Sequence, residues 1–335
     1  MKVYSARQLW TALFVALLAP ASALPAALAQ TGAGALAWLA PLLTLPLALA
    51  VLWAVRRLGP QGLAEAWRGK GFLLTLYYLW AMALSALTAG GCVDRLGRTD
   101  YAEAPAWLLS LSLTLAAGWL VRKGPAAFFR GAQIFFLALV VVTALFFVLG
   151  LADLRPENLA VAGKGEALAL GRGLLPAAGA LAVGVLCAFF PRQTEPGQSP
   201  GWRWLTAWCA VAAGLCLLVL GALGPELTAS APLPFFLTLQ GLGFPGGFRR
   251  LEALGTAAWV LSDVTLLALA ALAGREMTGG KSWGICPVLL AGLIGGCLLP
   301  NSVVAGLGPW LWGVNLALGA AVPLLLALGR RTSCG

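Results

Sequence analysis

The feature that most constrains this chain is a series of long, continuous apolar segments separated by short polar connections. A helix needs about 20 mainly apolar residues to cross the hydrocarbon of a bilayer. We place ten such segments, called spans one to ten, at residues 8–29, 35–55, 71–91, 105–121, 127–150, 172–190, 203–223, 250–273, 285–299 and 308–329. The apolar runs do not alternate with polar residues, so they predict helices and not the strands of a membrane barrel. The sequence therefore predicts an all-α, multi-pass membrane protein with a single transmembrane domain over residues 1–335, seated in a lipid bilayer.

The distribution of basic residues predicts the orientation. With the N-terminus in the cytoplasm, the inner connections hold 15 of the 22 basic residues. The outer connections hold the other seven, which are Arg95, Arg98, Arg155, Lys164, Arg172, Arg249 and Arg250. Because an excess of Lys and Arg marks the cytoplasmic side, we expect both termini inside. This topology also accounts for the net charge of +10, and we expect no nucleic-acid partner.

The first span has two interpretations. Lys2, Arg7, the apolar stretch and Ala27-Leu28-Ala29 together resemble a secretory signal peptide with its cleavage site. However, Pro20 and Pro25 bracket a small-residue stretch in the middle of a full-length span, which is equally typical of a broken membrane helix. The pattern alone leaves both open.

The spacing of the spans predicts two inverted halves. Five spans precede the longest polar connection, residues 151–171, and five follow it. An odd number of spans per half reverses the second half, so we predict inverted five-helix repeats at 8–150 and 172–329. Transporters built in this way bind their ligand near the bilayer midplane, between the broken first helices of the two halves. Here those helices are spans one and six.

We therefore predict a ligand site at breaks in these two spans. Backbone amides freed at 21–23 would bind a carboxylate, and carbonyls freed at 179–183 would bind an amine. The alternative is that the small residues only allow close helix packing. Two aromatic residues of spans three and eight join the set, although Tyr77 also fits a core or interface position. The candidate ligand-binding residues are Pro20, Ala21, Ser22, Ala23, Tyr77, Gly179, Ala182, Val183 and Trp259.

Asp263 lies near the centre of span eight. A carboxylate at that depth is costly unless it is paired, solvated or protonated, so it is a functional candidate. Together with Ser262 and Thr265, it predicts a site for a coupling ion or for a ligand amine. The alternatives are a structural ion pair with a basic residue of another helix, or a position beside a water-filled crevice with no ligand role.

The composition argues against catalysis. The chain has no His, and its 12 acidic residues are scattered, which leaves little for general-base, nucleophilic or zinc chemistry. The seven Cys residues include no CxxC pair and fit small apolar side chains better than metal ligands. We expect no enzyme, no metal site and no cofactor.

Several short motifs occur in an order and spacing that resemble one family. They are Tyr4-Ser5-Ala6-Arg7-Gln8, Ala37-Trp38-Leu39, Pro105-Ala106-Trp107, Gly124-Pro125 with Arg130, and Phe248-Arg249-Arg250-Leu251-Glu252 with Trp259. Over essentially its whole length the chain resembles the GerAB-type endospore germination permeases. These are the B subunits of nutrient germinant receptors and belong to the amino acid/polyamine/organocation superfamily.

The resemblance implies a LeuT-like fold with broken helices one and six, and it implies that the first segment is kept as a span. It also implies a place in the spore inner membrane beside an A-type and a lipoprotein C-type subunit. The pocket would bind a small nutrient, often an amino acid, and trigger germination. In span six the chain departs from the family, because Cys187-Ala188-Phe189-Phe190 leads straight to Pro191 and the predicted span holds no acidic residue. The ligand class and any ion coupling therefore stay open.

Two other functions fit the same pattern. One is a cation-coupled amino acid permease that uses Asp263 as the coupling residue, and the other is a scaffold that only holds its partners. A shared fold does not separate these functions.

Overall fold

The computed structural model describes residues 4–58, 62–99, 101, 103–161, 163–190, 201–242, 251–299 and 301–329. Within these ranges the regular structure is entirely helical. Eight helices there are long and apolar enough to cross a membrane, and the shorter apolar helices Ala106–Val121 and Ser282–Leu298 bring the number to ten. This agrees with the ten predicted spans. Pro191, Arg249 and Arg250 lie outside the described residues.

The spans of the first half lie close to their predicted positions. Span one is Ala6–Ala16 and Leu18–Ala29, span two is Ala40–Leu43 and Leu45–Leu58, span three is Gly71–Gly97, span four is Ala106–Val121 and span five is Pro125–Ala152. Short helical turns lie between them at Gly34–Leu39, Leu63–Ala66 and Pro156–Leu159.

The second half holds the other five spans. Span six is the α-helix Lys164–Ala182, which the 3₁₀ segment Val183–Phe189 continues. Span seven is Gly201–Leu223, span eight is Leu251–Met277 and span nine is Cys286–Leu298. Span ten consists of Asn301–Leu316, the π-helical turn Ala317–Ala321 and Val322–Gly329. The connection from span seven to span eight contains two short helices, Pro225–Ser230 and Pro234–Gly241, and Ser282–Gly284 is a 3₁₀ turn before span nine.

Span three continues past its predicted end at residue 91. Arg95, which we assigned to an outer connection, instead lies inside the helix, so that assignment was wrong. Gly90-Gly91 followed by charged residues is typical of a helix end. The helix continues because these charges have partners: Arg98 pairs with Asp94 at 2.8 Å, and Arg95 pairs with Asp263 of span eight.

Span one breaks at Leu17, whose φ and ψ are −92° and 0°, and not at the stretch 21–23. The predicted unwinding there is corrected, because Ala21 donates its N–H to the Leu17 carbonyl at 3.0 Å as part of a new helix. Pro20 falls in the first turn of that helix, where an N–H has no helical partner to lose. The proline therefore marks the start of a helix and not its middle.

In span six the α-helix also runs further than predicted. Pro176 and Gly179 lie inside it, and the change to 3₁₀ geometry comes only at Val183. The carbonyls of 179–182 therefore lie in the α-helix or at its end.

Spans one, six and eight form the interior. In their most apolar windows 78%, 78% and 83% of the residues are buried, against 17% in span five, which places span five at the lipid-facing surface. The first segment packs against spans five to eight. It is thus a central element of the fold.

Candidate functional site

A cavity of about 130 Å³ lies among spans one, three, six, eight and ten. Most of its wall is apolar, and its polar lining residues are Thr88, Arg95, Asp263 and Asn315. An interior cavity of about 150 Å³ can hold a molecule of the size of benzene. This cavity therefore has room for a ligand of about six non-hydrogen atoms.

An ion pair between two spans forms part of the cavity wall. Arg95 of span three donates from a terminal guanidinium nitrogen to an Asp263 carboxylate oxygen, and the two side chains are 19% and 3% exposed. The centre of the guanidinium group also lies 5.9 Å from the centroid of the Trp259 ring, a cation–π distance. The Nε atom of Arg95 is buried and has no hydrogen-bond partner among the described residues. Asp263 thus forms an ion pair with a basic residue of another helix, as one alternative predicted. This pair lies on the cavity wall, where a ligand would bind.

Helical spacing positions these groups. Thr88 and Arg95 are seven residues apart on span three, so they share one face, and Trp259 and Asp263 are four apart on span eight. Asp263 lies in the middle of Leu251–Met277, which packs against span three, and its side chain reaches Arg95 of that span.

The broken backbone of span one is satisfied by side chains of other spans. Ser262 accepts a hydrogen bond from the Ala19 N–H at 2.7 Å and donates to the Ala16 carbonyl at 3.4 Å. Trp208 donates its indole N–H to the Leu17 carbonyl at 3.1 Å. The polar groups freed at the break therefore have partners within the protein.

We expect Ser262→Ala to lower the free energy of unfolding by about 1–2 kcal/mol, because it leaves the Ala19 N–H buried without an acceptor. Thr265→Val in the same helix is the matched control, since the Thr265 hydroxyl only bonds to Leu261 O of its own helix, at 2.6 Å. Denaturant unfolding in lipid–detergent micelles measures both. Equal effects of the two changes would contradict this role for Ser262.

Four of the predicted site residues line the cavity: Pro20, Ala23, Val183 and Asp263. Ser22 and Trp259 instead bond to each other, with the indole N–H 2.5 Å from the hydroxyl oxygen. Ala21 is fully buried in the helix.

Three further predicted residues do not line the cavity themselves. Tyr77 donates its hydroxyl to the Leu318 carbonyl in the π-helical turn of span ten and packs against Phe189. A Cβ atom at Gly179 would lie 2.8 Å from the Trp312 Cα atom, which fits the close-packing alternative. Ala182 lines a different cavity.

That second cavity, of about 60 Å³, lies among spans one, two, six, seven and ten, and its lining residues are apolar, among them Trp10, Leu13 and Val51. A larger groove of about 320 Å³ between spans three and nine is also apolar. Neither has a charged lining residue. Of these three cavities, only the central one offers charged groups to a polar solute.

The sequence analysis missed Arg95, Thr88 and Asn315 as site residues. Asn315 is 1% exposed and accepts a hydrogen bond from the Trp80 indole N–H at 2.9 Å. A buried amide in an apolar run is a signal that the sequence does carry. Thr88 has no comparable signal, because hydroxyl side chains are ordinary in membrane helices.

Solved structures with the same helix arrangement are known. A point mutant of the manganese transporter of Eremococcus coleocola superposes with a TM-score of 0.55 at 14% identity, over 95% of this chain and 79% of that one. The fold is that of a membrane transporter. The same manganese transporter in complex with an aromatic bis-isothiourea substituted compound gives a TM-score of 0.54 at 15% identity, over 97% and 81% of the two chains.

No family model and no curated protein matches the chain. The likeness to the transporter structures confirms the predicted fold class, a LeuT-like, all-α membrane fold of about ten helices with inverted halves of five and breaks in helices one and six. The chain is thus a transporter-like, multi-pass membrane protein. The limits of the two repeats, 8–150 and 172–329, stay a prediction.

Proposed function

We propose that this protein is the B-type membrane subunit of a spore germinant receptor that binds a small nutrient, an amino acid, in the central cavity. The observation that carries the proposal is the pair of opposite charges, Arg95 and Asp263, on the wall of a cavity of amino acid size within a transporter fold. An amino acid carries the two complementary charges. The assignment to germination, the spore inner membrane and the A-type and C-type partners rests on the motif resemblance. The cytoplasmic position of both termini rests on the distribution of basic residues.

Binding rather than catalysis is the proposed activity. The charged groups of the cavity are a tightly paired acid and guanidinium, and Arg remains protonated in proteins, which makes it unsuitable as a general acid or base. Occupancy of the cavity would change the packing of spans three and eight. A partner subunit would detect that change at the lipid-facing surface of span three, whose most apolar window is only 33% buried.

A metal cargo fits the cavity less well than an amino acid. The structural neighbours are named manganese transporters, and Mn²⁺ prefers several carboxylate, carbonyl or water oxygens. In this chain the cavity carboxylate is neutralised by Arg95, and a fixed guanidinium group repels a dication. Among the described residues no group of three His, Cys, Asp or Glu could hold a metal ion.

The alternative is a cation-coupled amino acid permease, which the transporter fold favours. We expect purified protein in lipid vesicles to bind labelled amino acids with no concentrative uptake when a Na⁺ or H⁺ gradient is imposed, because Arg95 already neutralises Asp263. Filter binding and vesicle uptake on the same preparation measure both quantities. Concentrative uptake would contradict the receptor assignment and establish the permease, and absence of binding would contradict both.

A further inference from the structure

We propose that Arg95 and Asp263 are the specificity-determining residues of the cavity, and that they exchange their ion pair for the two charges of the ligand. The ligand carboxylate then binds the Arg95 guanidinium, and the ligand ammonium group binds the Asp263 carboxylate. This inference rests on the proposed function, since it describes how the same cavity selects its ligand. The two charged side chains, and not the backbone groups of spans one and six, then bind the ligand.

The broken backbone of span one is already occupied by protein groups. The Ala19 N–H donates to Ser262, and the carbonyls of Ala16 and Leu17 accept hydrogen bonds from Ser262 and Trp208. A ligand carboxylate would have to displace the Ser262 hydroxyl, a bond at 2.7 Å, and leave that hydroxyl buried. The cost of breaking such a buried bond disfavours recognition by this backbone.

The Arg95–Asp263 pair is better placed. Both side chains line the cavity, and they approach it from two different spans, so a ligand between them contacts both. Arg95 also keeps a buried Nε donor without a partner among the described residues. Because guanidinium presents a planar set of donors that matches a carboxylate, Arg95 can donate two parallel hydrogen bonds to a ligand carboxylate once its pair with Asp263 opens.

Charge balance makes the exchange selective. A buried charge that loses its partner is strongly disfavoured, so the pair opens only for a ligand that supplies both charges. An amino acid zwitterion leaves Arg95 and Asp263 each with a counter-charge. A monocarboxylate would leave Asp263 unpaired, and a simple amine would leave Arg95 unpaired. The cavity should therefore reject both kinds of singly charged analogue.

The experiment measures binding to the purified full chain in micelles as a rise in thermal unfolding temperature, since a ligand that binds the folded state stabilises it. The probes are glycine, L-alanine and L-serine, with propionate and propylamine as singly charged analogues. We expect wild type to bind at least one amino acid and neither analogue. Asp263→Asn should bind the amino acid at least about tenfold more weakly and gain binding of propionate. Arg95→Gln should also bind the amino acid at least about tenfold more weakly, and it should gain binding of propylamine.

Two further variants keep the test decisive. Asp94→Asn removes a carboxylate from the same helix, but this group pairs with Arg98 and does not line the cavity, so selectivity should be unchanged. The neutral double variant Arg95→Met/Asp263→Asn leaves no unpaired buried charge, so it should fold even if the single variants do not. It should bind no amino acid.

The outcomes separate the two claims. Amino acid binding by wild type that survives in the neutral double variant would overturn the exchange and leave the proposed function in place. Amino acid binding that is lost in both single variants without any gain of propionate or propylamine would also overturn the exchange. If wild type binds none of the three amino acids, the proposed function fails, and the exchange fails with it.

Discussion

Replacing Arg95 by methionine is expected to lower the free energy of unfolding by about 3–5 kcal/mol, because it leaves the Asp263 carboxylate buried without its counter-charge. The Asp263 side chain is only 3% exposed and lies in the middle of span eight, so bulk water solvates the orphaned carboxylate poorly. Denaturant unfolding of the purified protein in lipid–detergent micelles measures the change. The effect is larger than that of ordinary surface ion pairs, which contribute about 0–1 kcal/mol.

A double-mutant cycle tests the origin of this effect. Adding Asp263→Asn to Arg95→Met removes the orphaned charge and should recover most of the lost stability, because a buried ion pair contributes little compared with neutral side chains of similar size. The matched control is Asp94→Asn, which breaks the more exposed pair with Arg98 and should cost less than about 1 kcal/mol. Additive losses from the two changes would mean that Arg95 and Asp263 do not interact in the folded protein.

The fold was predictable because its main determinant is local in sequence. Each span is a continuous apolar run, and the number of runs, their grouping around residues 151–171 and the sign of the charges between them follow directly from the chain. Irregular geometry in spans one and six was also predicted, although the Pro and Gly residues that suggested it do not lie at the breaks themselves. The positions of the breaks were less predictable: a proline fits the first turn of a helix as well as a kink, and only the hydrogen bonds of Leu17 and Ala21 distinguish the two.

The site was only partly predictable because it depends on contacts between spans. Asp263 was identified from its depth alone, which is a property of one segment. Its partner was missed because Arg95 follows two glycines and looks like a loop residue, although the pair joins residues 168 positions apart in the chain. In the same way, Ser22 and Trp259 were both identified as candidate ligand-binding residues, but the sequence does not show that they bind each other.

The packing of spans six and ten gives a second large expected effect. We expect Gly179→Leu to lower the free energy of unfolding by about 3 kcal/mol or more, the upper part of the range for overpacked sites. Even a Cβ atom at this position would lie 2.8 Å from both the Cα atom and the carbonyl oxygen of Trp312, and backbone atoms cannot rotate away as a side chain can. Denaturant unfolding in lipid–detergent micelles measures the loss.

The same substitution should also weaken ligand binding in whatever protein still folds. Trp312 lines the central cavity, so moving span ten away from residue 179 shifts one wall of the site relative to Asp263. The matched control is Gly313→Leu, at the next residue of span ten, where a Cβ atom meets nothing within 4 Å, and both stability and binding should stay close to wild type. If Gly179→Leu is tolerated as well as Gly313→Leu, spans six and ten are not in close contact at this point. Gly179 would then again be a candidate for the ligand contact that its sequence position suggested.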